Sequence, residues 1–286
     1  MDKESHFLEI NNSEKIWAIG SIHSRLNAFN SIKEHLLQKF EEEDCLVFLG
    51  NIIGLGKESK ETLSSVIDLR NQLLAKFFLN PSKVIFLRGA QEEMFLKLLQ
   101  LQTAPNPQDV VLWMFDRGVD ATIESYGFKK KDALNISTQG TLAISKWTTR
   151  LNKAVSANPG HKQYFTNLKH AAFSESKKIL FLNRGVDVSR PLSAQNDCFW
   201  WGYQNFSNLK HPYNSFVRIV RGYQSSKHNQ LQHAKNKIVC SLFQQPLDNT
   251  KIIAGLFDDS GNVIVLFKSI PGLSTGVPPR SSIVFS

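Results

Sequence analysis

Between Ile16 and Glu93, three apolar runs each end in a glycine turn whose side chains can bind or react. Ile16-Trp17-Ala18-Ile19 runs into Gly20-Ser21-Ile22-His23-Ser24-Arg25. Leu46-Val47-Phe48-Leu49 runs into Gly50-Asn51-Ile52-Ile53-Gly54-Leu55-Gly56, and Val84-Ile85-Phe86-Leu87 into Arg88-Gly89-Ala90-Gln91-Glu92. Among these side chains only His23 changes charge near neutral pH. The amides of Asn51 and Gln91 bind through hydrogen bonds and transfer no proton near neutrality. A lone histidine in such company reads first as a hydrogen-bonded core residue, ahead of a metal ligand.

Each apolar run has the length and composition of a buried strand, and helices are expected between them. Leu26, Phe29, Ile32, Leu36, Leu37 and Phe40 form one apolar stripe at helical spacing; Leu63, Val66, Ile67, Leu73, Leu74 and Phe77 form another. Strand, helix, strand, helix, strand implies parallel pairing. Open α/β sheets place ligands beyond the carboxyl ends of their strands, so the three turns should share one crevice.

The chain has 286 residues and 42% hydrophobic content, enough to bury a substantial core. No linker divides it. The expectation is a polar extension over 1–13, one domain over 14–270 and a flexible Gly-, Pro- and Ser-rich tail over 271–286. The N-terminal segment lacks the pattern of a secretory signal, and no apolar run has the length of a membrane span. Cys45, Cys198 and Cys240 are odd in number and widely spaced, which argues against a disulfide framework or zinc cluster and for a reducing, cytoplasmic setting. A formal charge of +9 favours anionic partners.

Read together, the turns resemble those of the calcineurin-like metallophosphoesterases, particularly the serine/threonine protein phosphatase branch and its bacterial relatives. The motifs G-D-x-H-G, G-D-x-x-D-R-G and G-N-H-E are matched by Gly20 to Ser24, Gly50 to Gly56 and Gly89 to Glu92. Later stretches fit too. Ala121 to Gly127, Ile179 to Asp187, Phe199-Trp200-Trp201-Gly202 and Val217 to Tyr223 look like the segments that follow in that family. The resemblance implies a four-layer α/β/β/α sandwich of two mixed sheets flanked by helices. It also implies a centre of two divalent metals, manganese, iron or zinc, that clamps a phosphate and activates water.

The residues that centre requires are altered at nearly every position. Ser21 and Asn51 stand at the two aspartate positions, Ala90 at the asparagine, and Asn183 and Tyr223 at the later histidines; His23 alone keeps the family's residue. Gln91 replaces the histidine that would protonate the leaving group, Leu55 the phosphate-binding arginine, and Gly54 the aspartate beside it. Hard cations close together need anionic ligands between them, and neither an alcohol nor an amide carries the charge. Four arginines, Arg25, Arg88, Arg184 and Arg221, fall near the same crevice. An arginine fork there could hold phosphate without hydrolysing it.

Farther on, helices are expected after Glu92, across Val110 to Asp116 and Ala121 to Tyr126, and along the stripe Leu142, Ile144, Trp147, Leu151, Val155. Lys129-Lys130-Lys131 reads as a solvated loop. Residues 160–170 receive no chemistry. Five strands, 178–182, 216–220, 238–242, 251–256 and 263–267, read as the second sheet, the last two joined by a hairpin. The expected function is that of a catalytically inactive phosphatase-like protein that needs no cofactor and binds a protein or a phosphorylated or acidic ligand. Two alternatives stand beside it. One is a residual metal-dependent phosphoesterase using His23, Asn183 and Glu92 with His228 or His233; the other is a nucleic-acid-associated protein.

Overall fold

The structure is a computed structural model, and residues 6–202, 206, 209–223, 238–243 and 251–269 are described. Period-two alternation along the strands decides how the layers stack, because successive side chains of a strand leave it on opposite faces. Trp17, Ile19, Leu46, Phe48, Val84 and Phe86 point into one apolar cluster together with the helices. Ile16, Ala18, Cys45, Val47, Ile85 and Leu87, the alternate residues, point into a second cluster shared with Phe181, Val220 and Cys240. Leu180, Leu182 and Ile219 enter a third with Phe199 and Trp200. Three cores between four layers make an α/β/β/α sandwich, as the sequence implied.

The first sheet has the order β10-β9-β2-β3-β4. Its strands are β2 (Lys15–Ile19), β3 (Cys45–Phe48), β4 (Val84–Phe86), β9 (Ile253–Asp258) and β10 (Val263–Lys268). β2, β3 and β4 are parallel, with Ile16 opposite Cys45 and Leu46 opposite Val84. β9 returns antiparallel beside β2, and β10 beside β9. The second sheet is β1-β5-β6-β7-β8, built from β1 (Phe7–Ile10), β5 (Ala171–Ser174), β6 (Ile179–Leu182), β7 (Arg218–Arg221) and β8 (Val239–Ser241).

Two expectations are corrected here. The hairpin of β9 and β10 forms, closed by Asn262 N donating to Asp258 Oδ1 at 2.7 Å, but it joins the first sheet. A strand buried on both faces carries no sequence mark of which sheet it enters, and β9 takes the open side of β2. Residues 7–10, assigned to an extension, pair with β5 at the edge of the second sheet. The tail over 271–286 lies outside the described residues.

The helices follow their stripes. α1 (Leu26–Lys39) buries Phe29, Ile32 and Leu36; α2 (Ser59–Phe77) buries Leu63, Val66 and Leu73. α3 (Ala90–Leu98), α4 (Pro107–Phe115), α5 (Val119–Ser125), α6 (Lys130–Ile136), α7 (Thr141–Ser156) and α8 (His161–Thr166) continue the outer layer. Asn106 caps α4 and Pro107 starts it, whereas α3 has already ended at Leu98, ahead of the break expected at Pro105-Asn106-Pro107. The lysine run opens α6 instead of forming a loop, and Lys130 pairs with Asp120 at 2.7 Å. α9 (Cys198–Trp201) covers the second sheet.

Candidate functional site

The carboxyl ends of β2, β3, β6 and β7 meet. Ser21 N donates to Gly222 O at 3.0 Å, Asn183 Nδ2 to Leu49 O at 2.6 Å, and Tyr223 N to Asn183 O at 2.9 Å. The turns are therefore stitched across the two sheets by one backbone bond, Ser21 to Gly222, and one from the Asn183 side chain to Leu49. Close approach requires glycine at Gly20, where a Cβ would lie 1.7 Å from Leu242 O. Backbone strain concentrates in the same turns: His23, Ser24, Asn51 and Leu55 all hold positive φ, between 49° and 65°. Bulky side chains adopt that region at a cost, and such residues cluster where a fold over-determines them.

Glu92 is the hub of the third turn. Its buried carboxylate accepts from Asn51 N at 2.7 Å, Ile52 N at 2.8 Å, Gly89 N at 3.0 Å and the Tyr164 hydroxyl at 3.1 Å. Burial raises its pKa while the backbone N–H groups act against that shift. Tyr164 sits in the stretch given no chemistry; its spacing from His161 on α8 is the signal that points both inward. His161 itself joins Tyr126 Oη at 2.6 Å to Ser64 Oγ at 3.0 Å.

Asn51 is spent on its neighbours. Its Nδ2 donates to Ser21 Oγ at 3.2 Å and to Asn183 Oδ1 at 3.5 Å, and its Oδ1 accepts from Gln91 N at 3.0 Å. Gln91 Nε2 donates to Arg117 O at 2.8 Å, while its Oε1 is buried without a partner. Leu55 is 47% exposed at the rim, its N–H bonded to Gly118 O. Ala90 packs beside the third core.

His23 contrasts with these. It is 6% exposed, and neither ring nitrogen has a hydrogen-bond partner among the described residues. Its contacts are edge-on to Tyr223 at 5.7 Å and Phe243 at 6.3 Å. Burial, with Arg25 nearby, lowers its pKa to about 3, so the ring is neutral at physiological pH. The expectation of a hydrogen-bonded histidine does not hold.

The four arginines separate. Arg25 donates to Ile22 O at 2.7 Å, Ser21 O at 2.6 Å and Lys251 O at 2.8 Å, so it braces the backbone of the turn. Arg88 pairs with Glu93 at 3.1 Å and lies over Trp200. Arg221 is 5% exposed, bonded to Ser241 Oγ at 2.7 Å and near Arg184 O at 3.5 Å. Arg184 lies over the Tyr223 ring at 5.4 Å, and its guanidinium makes no hydrogen bond or ion pair among the described residues. Burial lowers the pKa of both Arg184 and Arg221, the latter to about 10.

No protein-family model and no curated protein matches the chain. Solved structures do. A structure named for diadenosine tetraphosphatase activity aligns at TM-score 0.51 and 15% identity, over 93% of this chain and 98% of that one. A cold-active protein-tyrosine phosphatase of a psychrophilic Shewanella species aligns at TM-score 0.52 and 13% identity, over 92% and 79%. A point mutant of a cold-active protein tyrosine phosphatase gives 0.52 and 14%, over 94% and 82%.

The chain shares the fold of these phosphatase structures, as the resemblance of its turns implied. Two divalent metals in such a fold would have to be held at Ser21, His23, Asn51, Ala90, Asn183 and Tyr223, and the donors present do not fit them. Among the described residues, no group of three or more His, Cys, Asp or Glu side chains could hold a metal ion. Glu92, the carboxylate of the alternative set, is occupied by backbone donors and Tyr164. Asn183 is tied to Leu49 and Asn51. His228 and His233 lie outside the described residues. Also among the described residues, no helix is long and apolar enough to cross a membrane, and all three cysteines are free and buried.

Proposed function

We propose that this chain is a phosphatase-fold protein that no longer hydrolyses phosphoesters and acts by binding a phosphorylated or acidic protein partner. The observation that carries the reading is the closed set of bonds around Asn51. Every polar atom of its side chain is directed to Ser21, Asn183 or the Gln91 amide, where a bridging anion would be needed. Gln91 also cannot donate a proton to a leaving group. Arg184, desolvated and without an acidic partner among the described residues, gives the crevice a cation suited to phosphate, with Arg221 beside it.

Hydrolysis of p-nitrophenyl phosphate with added manganese, iron or zinc tests it. No turnover above the protein-free blank is expected; turnover that His23→Ala abolishes overturns the proposal.

A further inference from the structure

A second concavity lies away from the crevice, where the edge strands of the two sheets come together. β4 is the last strand of the first sheet and β1 of the second. Lys169 N donates to Phe86 O at 2.9 Å and His170 N to His6 O at 2.7 Å, which holds the edges side by side. α2 and α8 wall the space. At one end they touch, since a Cβ on Gly160 would lie 3.0 Å from Ile67.

The space has a volume of about 720 Å³, within the ~300–1,000 Å³ usual for small-molecule sites. Val84, Phe86 and Ile67 give it apolar walls, and Arg70 and Lys169 are its cations. Asp68 is the one acid among the residues lining it, and Asp68 is already held by Lys33 and by Gln72 Nε2 at 2.7 Å. Arg70 is half-buried and makes no hydrogen bond or ion pair among the described residues. Its pKa is lowered by burial. A guanidinium presents five donors in a plane matched to a carboxylate or phosphate, and leaving it partly desolvated and unpaired is unfavourable.

We infer that this cavity binds a small organic acid, its carboxylate or phosphate group on Arg70 and its apolar body against Ile67, Val84 and Phe86. The inference goes beyond the proposed function and does not rest on it: Arg70 lies outside the crevice, and of the site residues Tyr164, which bonds Glu92, also lines the cavity.

Calorimetric titration of the full chain with benzoate and with phenyl phosphate tests it and separates a carboxylate from a phosphate source. One-to-one saturable binding is expected for at least one probe. Arg70→Gln should weaken it at least ~10-fold, the scale of one lost charge-assisted bidentate contact. Benzamide, uncharged and of similar shape, should bind at least ~10-fold more weakly than benzoate for the same reason. Arg70 makes no bond among the described residues, so Arg70→Gln should unfold at the parent temperature. The inference is overturned if neither probe saturates, if Arg70→Gln binds like the parent, or if Arg184→Gln alone removes binding.

Discussion

Glu92 and His23 lie in the same crevice, both buried, and the chain treats them oppositely. Five donors converge on the Glu92 carboxylate, four of them backbone N–H groups from two turns. His23 has no hydrogen-bond partner at either nitrogen among the described residues, and its ring lies edge-on to those of Tyr223 and Phe243. A side chain that fastens the backbone is needed whatever the crevice does. A side chain that faces a ligand is needed only while that ligand is there.

Substitution at the two positions should therefore differ sharply. Glu92→Ala leaves five buried donors unpaired and should cost at least ~3 kcal/mol, read from urea unfolding. Asn51→Asp comes next. It sets a buried charge against Ser21 Oγ, which can turn its proton to meet it, and against Asn183 Oδ1, which cannot. A loss of ~1–3 kcal/mol is expected, and a gain of stability on adding manganese would count against the proposed function.

Acid should destabilise the fold through its buried histidines, with His23 of the crevice, its pKa lowered to about 3, acting in the same sense as His161 and His170. His161 and His170 have pKa values lowered from 6.5 to about 4, chiefly by burial. Below pH 6.5 the unfolded chain takes up protons that the folded rings refuse, so stability is full above 6.5 and falls toward pH 4. Glu92, with its raised pKa, works in the opposite sense and blunts the loss. Urea midpoints at pH 7.5, 6 and 5 should decline in that order; a flat series would contradict it. The smallest effect belongs to His23→Phe, which replaces an unpartnered imidazole with a ring among Tyr223 and Phe243. Stability should stay within ~1 kcal/mol of the parent. A larger loss would mean that His23 holds something.

How much of this was legible follows from what each signal depends on. The layers were, because alternation in β2, β3 and β4 and the stripes of α1 and α2 are local properties. The sheet that β9 enters was not, since pairing with β2 joins residues far apart in sequence. Altered identities at Ser21, Asn51 and Gln91 could be read one by one. Their mutual bonds could not, nor could the orphaned state of His23, because both depend on how turns from two sheets meet. Arg25 shows the same limit: its sequence position beside the crevice gave no sign that three backbone carbonyls would occupy its guanidinium.

The most direct measurement of the central claim is the metal content of the full chain, by mass spectrometry after incubation with manganese and zinc and removal of free ions. Fewer than ~0.1 ions per chain are expected, because an amide and an alcohol cannot neutralise two adjacent cations. Two ions per chain, lost on His23→Ala, would contradict the account.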